Sequence, residues 1–188
     1  MNSSVYRFLY EAGQLKQVRR SGWWIAGIED PESVAEHSFR TAVIGFILAH
    51  MEGADVGRTT AMCLLHDLHE ARTLDLHKIS QSYLDKSEAE ARVTRDQAAL
   101  LPGQAGQELV ELGRAFEQGD SLEARLAREA DALECLLQAR EYQARGHADV
   151  QDWIDSSLKK LSSPSARQIA QDCLQNPPAS WWRDLKSG

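Results

Sequence analysis

Cys63-Leu64-Leu65-His66-Asp67-Leu68-His69-Glu70-Ala71-Arg72 is the stretch around which the chain is organised. An apolar run leads straight into a His-Asp pair, and a carboxylate follows within one helical turn. On a helix of about 3.6 residues per turn, neighbouring side chains diverge by roughly 100°. His66 and Asp67 therefore share one ion only if it sits over the groove between them, with further ligands supplied by other helices. Glu70 lies four residues after His66 and three after Asp67, so it projects from the same side as a candidate acid or base. Taken alone, a buried histidine bonded to a neighbouring helix is the commoner fate of such a residue, and partners elsewhere in the chain have to decide.

Upstream, the helix carrying the pair is expected over 58–71, with Ala61, Leu64, Leu65 and Leu68 on its buried side after a turn at Gly53 to Gly57. Before it, Ser33-Val34-Ala35-Glu36 has the form of a capping box, which starts a helix by pairing orphan backbone donors. His37 follows, and Ile44 and Leu48 succeed it at inward-facing spacing, so His37 points to the core; His50, at the polar end of that helix, reads as surface. The phase fits either a satisfied core histidine or a ligand. Arg19-Arg20-Ser21-Gly22-Trp23-Trp24 puts two guanidinium groups beside a glycine and two aromatic surfaces, after a first helix over 5–18 with Asn2 to Ser4 available as caps.

Downstream, Thr73-Leu74-Asp75-Leu76-His77-Lys78 has no sustained period and reads as a loop or a broken helix beside the site, from which Asp75 and Lys78 reach a ligand, or as solvated surface. A charged, peripheral helix runs from Ser87 to Leu101, stopped by Pro102-Gly103, and Leu109, Leu112 and Phe116 give another. Ser121 then caps a long helix with the stripe Leu122, Leu126, Ala130, Leu133 and Leu137. Asp131 stands beside that stripe, where a carboxylate is costly unless paired with a neighbour such as Arg128, placed at the solvent edge, or bound to a cation. Arg145-Gly146 ends the helix, Val150 to Leu161 and Ser165 to Leu174 give two more, and Trp181-Trp182 is expected to pack back on the body. No run of alternating β-branched residues and no glycine-rich phosphate loop interrupts this pattern, which predicts an all-α fold in a single domain.

At 188 residues the chain is long enough to bury a core without staples, and its net charge of −7, with Lys and Arg scattered, disfavours a long nucleic acid as partner. A small anionic substrate remains compatible with a few local cations. Cys63, Cys135 and Cys173 are odd in number and lie in apolar helical patterns, which reads as reduced core thiols of a cytoplasmic protein. The longest apolar run, Ala42 to Ala49, is too short to span a bilayer, so no membrane is expected.

Ordered along the chain, His37, His66-Asp67 and Asp131 stand on different long helices. This set, together with Glu32-Ser33-Val34-Ala35-Glu36-His37 and His-Asp-x-x-Glu at 66–70, resembles the HD-domain metal-dependent phosphohydrolases. The nearest branch contains the bacterial deoxyribonucleoside 5′-monophosphatases and their eukaryotic relatives. The similarity runs from Leu15-Lys16 through Arg-x-Gly-Trp at 20–23 to Ala130-Asp131-Ala132-Leu133 and leaves the segment after about 147 uncovered.

The resemblance implies a single HD-domain helical bundle over 1–188, with a metal-site core at about 15–146 and C-terminal helices at about 147–188. It implies that His37, His66, Asp67 and Asp131 hold one divalent cation, and two imidazoles with two carboxylates suit Mn, Co, Fe, Ni, Zn or Mg. Glu70 would orient a water or shuttle a proton, and Asp75 would contact the sugar or the water. Arg20, with Arg19 as substitute, would neutralise a phosphate, Trp23 would wall the pocket, and the family habit implies a homodimer. Two departures bear on this: Leu74 stands where the family's Thr-Gly-Asp turn has glycine, and His69 adds an imidazole beside Glu70. The His-Glu-x-x-His pattern of zinc proteases is absent, because residue 73 is Thr. The implied activity is hydrolysis of a (deoxy)nucleoside 5′-monophosphate; the alternatives are another phosphorylated metabolite, a nucleoside di- or triphosphate, or a non-catalytic, metal-stabilised nucleotide sensor.

Overall fold

The structure, a computed structural model, describes residues 4–186. A first helix α1 (Val5–Gln14) leads into the short α2 (Gly22–Ile25) and then the long α3 (Val34–Glu52). Helix α4 (Val56–Leu65) turns back along α3 and gives way to two single-turn pieces, α5 (Glu70–Thr73) and α6 (Lys78–Gln81). An antiparallel pair follows, α7 (Lys86–Ala98) and α8 (Gly103–Gln118), before the central α9 (Leu122–Ala144). The chain closes with α10 (Gln151–Lys160), α11 (Pro164–Gln175) and α12 (Ser180–Asp184). Among the described residues the only β-type pairing is an isolated bridge between Arg19 and Ser33, so the all-α expectation holds.

Helices α3, α4 and α9 pack against one another and α8, α10 and α11 close over them. The core they share includes Leu48, Met62, Leu126, Leu133, Leu136 and Ile154, each essentially inaccessible. Burial of side chains this size contributes roughly 1.5–3 kcal/mol apiece. Close contact between α3 and α4 depends on Gly45, where a Cβ would stand 2.4 Å from Cys63 Sγ. This approach brings the start of α3 alongside the end of α4, and so His37 beside His66.

Several boundaries differ from expectation. The capping box forms at Ser33 and Glu36, and Ser121 caps α9, as their sequences dictate. Helix α1 stops at Gln14 rather than Val18, because Leu15 and Val18 turn inward and Val18 O accepts from Val34 N at 2.9 Å. Ser4 Oγ bonds Leu100 O instead of capping α1, and Asn2 and Ser3 lie outside the described residues. Trp181 and Trp182 do not pack back on the body: they are 71% and 39% exposed. Cys63 is a buried free thiol, whereas Cys135 and Cys173 are only half-buried.

The correction with most consequence concerns the helix expected over 58–71. It ends at Leu65, and the chain passes through turns at His66 to His69 before α5. There the backbone bonds tighten to the three-residue type, Leu68 N to Leu65 O at 3.2 Å and Glu70 N to Asp67 O at 3.0 Å.

Candidate metal centre

The break at His66–His69 solves the difficulty that neighbouring side chains diverge on a regular helix. His66 Nε2 and Asp67 Oδ2 converge to 3.1 Å, and His37 Nε2, from the first turn of α3, stands 3.4 Å from His66 Nε2 and 3.7 Å from Asp67 Oδ2. Asp131, from the middle of α9, places Oδ1 at 3.3 Å from His37 Nε2 and 4.0 Å from His66 Nε2. The alternative partner of Asp131 is engaged elsewhere, since Arg128 donates to Phe116 O and Gly119 O.

Outer hydrogen bonds fix both rings. His37 Nδ1 lies 2.6 Å from Glu134 Oε2, and His66 Nδ1 lies 2.8 Å from Cys63 O. Each Nδ1 meets an acceptor and so carries the proton in the neutral ring, which turns both Nε2 lone pairs toward each other and toward two carboxylates. His37 Nε2, His66 Nε2 and Asp67 Oδ2 lie close to one another with Asp131 Oδ1 beside the two rings, and electron-rich atoms so placed call for a cation between them. For a cation about 2.1 Å from each ligand, adjacent ligand atoms sit about 3.0–3.5 Å apart, close to the spacings present. The residues therefore fit a divalent ion.

Electrostatics repeat the pattern. Burial opposes the charge of Asp67, yet His66, Arg20 and His37 hold its carboxyl well below the usual range. Asp131 is likewise lowered against burial, by His37 first. For His37, burial and Arg20 oppose the charged ring, but Glu134 and Asp131 carry it up to about 10: without a metal, the cage holds a proton. Glu70 moves the other way, raised well above a normal carboxyl by burial and then by Asp67 and Asp75. It is 1% exposed, and its Oε2 is a buried oxygen with no hydrogen-bond partner.

These groups open onto a cleft of about 290 Å³ whose walls include Trp23, Phe116 and Trp153, with Arg20, Lys86 and Lys160 as its cations beside Lys78. Arg20 Nη1 bonds Asp67 Oδ2 at 3.3 Å, and Nε lies 3.9 Å from Asp75 Oδ2. Asp75 in turn accepts from Ser21 N at 2.8 Å through Oδ2 and from Ser21 Oγ at 2.6 Å through its carbonyl, tying the Arg20 turn to the loop after α5. Trp23 stacks on Trp153 and donates from Nε1 to Glu32. Arg19 is the sequence-derived candidate that the structure removes from the cleft. It pairs with Asp30 at 3.1 Å and with Pro31 O, in a separate opening between α3 and α9, because the backbone bridge to Ser33 turns successive side chains to opposite sides. His69 also turns away, to Glu90 at 2.8 Å.

Sequence reasoning missed Glu134 and Arg40. Glu134 is inaccessible and Arg40 donates to it twice, from Nη2 at 2.7 Å and Nε at 3.0 Å. A signal was present: Glu134 adjoins Leu133 on the core side of α9, and it follows Asp131 by three residues as Arg40 follows His37. Leu74 carries the cost of its departure from glycine, with φ 63° and ψ 163°, a region nearly reserved for glycine. Its side chain is 58% exposed, so Leu74→Gly removes strain of about 1–3 kcal/mol against about 0.5–1 kcal/mol of added chain freedom. Thermal denaturation should show a midpoint a few degrees higher, and a lower one would contradict the strain.

Comparison with known proteins places these observations in a family. The HD domain matches residues 12–172, and the chain belongs to the HD-domain family. The match extends past residue 147, into α10 and α11. Human 5′-deoxynucleotidase HDDC2 is 31% identical over 172 residues, covering 90% of this chain and 84% of the human protein. The fission yeast 5′-deoxynucleotidase hdd1 (Schizosaccharomyces pombe) is 27% identical over 95% of this chain and 92% of its own. Among solved structures, a conserved hypothetical protein from Pyrococcus furiosus superposes with a TM-score of 0.79 at 33% identity, covering 91% and 99% of the two chains. A predicted metal-dependent phosphohydrolase from Magnetospirillum magnetotacticum gives 0.74 at 25% identity, covering 92% and 90%.

Proposed function

We propose that this chain is a divalent-metal-dependent 5′-deoxynucleotidase, a single HD domain that hydrolyses deoxynucleoside 5′-monophosphates to nucleoside and phosphate. The observation that carries the reading is the convergence of His37 Nε2, His66 Nε2, Asp67 Oδ2 and Asp131 Oδ1 at the floor of a cleft that also holds Arg20 and the unpartnered Glu70 oxygen. Those four residues would hold one ion of the Mn, Co, Fe, Ni, Zn or Mg group. When bound, such an ion polarises a phosphoryl oxygen and lowers the pKa of water.

The chain supplies the rest. Arg20 has five N–H donors and spends one on Asp67, which leaves a planar fork for the phosphate oxygens. Glu70 takes the proton of the attacking water and returns it to the departing 5′-oxygen, a task suited to a buried carboxyl of raised proton affinity. Asp75 contacts sugar or water while its bonds to Ser21 hold the Arg20 turn in place, and Trp23 stiffens the wall. We place the protein in the cytoplasm, in keeping with its three free thiols, and no helix among the described residues is long and apolar enough to cross a membrane. Phe39, Val43, Phe46, Ile47 and Met51 line the outer side of α3, all exposed, and support assembly as a homodimer.

The test is phosphate release from nucleoside mono-, di- and triphosphates by metal-stripped protein reloaded with Mn, Co, Mg or Zn, beside Asp67→Ala. Release confined to deoxynucleoside monophosphates, and at least about 100-fold lower in Asp67→Ala, is the expected result. Release from other phosphates would keep the centre and change the substrate. No release with any metal would leave a nucleotide sensor.

A further inference from the structure

We propose that Arg40 is a positioning residue of the metal centre, acting from outside the cleft through Glu134 on His37. The inference rests on the metal centre proposed above. Arg40 lies on α3 three residues after His37, and Glu134 lies on α9 three residues after Asp131. Each helix thus gives one residue to the centre and, about one turn on, one to its support.

The clasp is one-sided. Arg40 puts two N–H groups on Glu134 Oε1, Nη2 at 2.7 Å and Nε at 3.0 Å, which leaves Oε2 for His37 Nδ1 at 2.6 Å. The guanidinium is itself fixed by Gln138 Oε1 and Glu141 Oε1, both at 2.7 Å. Glu134 is fully inaccessible and, among the described residues, Arg40 alone donates to its Oε1, so the orientation of its carboxylate depends on the arginine. A carboxylate held in this way fixes the ring of His37 and with it the direction of the Nε2 lone pair. Outer partners of metal-bound histidines commonly change metal affinity by about 10–100-fold. A lysine cannot reproduce the arrangement, because a single ammonium lacks the planar fork that grips one oxygen twice while reaching two further acceptors.

Cobalt(II) titration of metal-stripped protein by calorimetry, with the visible absorption of the cobalt-loaded form, tests this. Arg40→Met is expected to bind cobalt about 10–100-fold more weakly than wild type and to show an altered cobalt spectrum. Arg58→Met removes an exposed ion pair with Glu111 that touches neither Glu134 nor His37, and is expected to leave affinity and spectrum unchanged. If Arg40→Met does not fold, Arg40→Lys carries the test, with cobalt bound more weakly than by wild type and an altered spectrum. Arg40 variants that melt lower yet bind cobalt with wild-type affinity and spectrum would overturn the proposal and leave an ordinary structural ion pair. Equal losses in Arg58→Met would also overturn it. Wild-type protein that takes up no cobalt would overturn this proposal together with the metal centre. Cobalt uptake without phosphate release would sink only the nucleotidase reading, and the Arg40 comparison would still decide this one.

Discussion

Glu70→Gln is expected to lower the rate of phosphate release by about 10²–10⁴-fold, the span typical of a lost general acid–base group. The substitution keeps shape and hydrogen-bonding reach but removes the capacity to take a proton. Glu70 stands outside the set of four converging donor atoms, so metal uptake should persist, and KM should move less than kcat. The stability of the variant separates this from damage to the fold. Burial and the neighbouring Asp67 and Asp75 disfavour the Glu70 carboxylate, so a side chain that stays uncharged suits the site and the thermal midpoint should equal or exceed that of wild type. A Glu70→Gln protein with wild-type kcat would show that another group moves the proton.

The parts of this site that were legible in the sequence are those with local periodicity or a local motif. The capping box set the start of α3 and hence the phase of His37, and the stripe along α9 placed Asp131 beside the core. What was not legible depends on contacts distant in sequence. The break at His66–His69 has no proline or glycine to announce it. It arises where the chain must serve a centre built from α3 and α9 as well as its own helix, and tertiary demands override helix propensity. Arg19 and Arg20 are indistinguishable by composition, and only the bridge to Ser33 decides which faces the cleft. The clasp of Arg40 on Glu134 spans 94 residues, and an isolated Glu on a helix usually means solvent. Leu74 shows the opposite case: its departure from glycine was visible in the chain, and the structure keeps the positive φ and accepts the strain.

Removing the metal should make the protein progressively less stable as pH rises from 6 to 9, with the gap between metal-loaded and metal-free thermal midpoints widening over the same range. His37 sets the sign. Its ring titrates at about 10 in the folded, metal-free chain against an ordinary value near 6.5, so the fold favours the charged ring. That contribution is complete below about 6.5 and is lost as pH climbs through about 10. At about 1.4 kcal/mol per pH unit, the loss between pH 6.5 and 9 is on the order of 3 kcal/mol, or on the order of 10 °C in midpoint. Glu32, pushed up to about 7 by burial and by Glu134, adds a loss with the same sign between about 4.5 and 7, and Glu70, raised well above the usual carboxyl range by burial and by Asp67 and Asp75, adds to it in the same direction. The lowered carboxyls of Asp67, Asp131 and Glu134 contribute stability that is present throughout this window and disappears only toward acid. A divalent ion replaces the proton as the positive charge of the cage and needs the neutral ring, so its apparent affinity rises with pH while the metal-free fold weakens. Calorimetric scans of chelator-treated and reloaded protein at pH 6 and 9 measure both quantities. A metal-free midpoint higher at pH 9 than at pH 6 would mean that His37 is not the charged group at the heart of the cage.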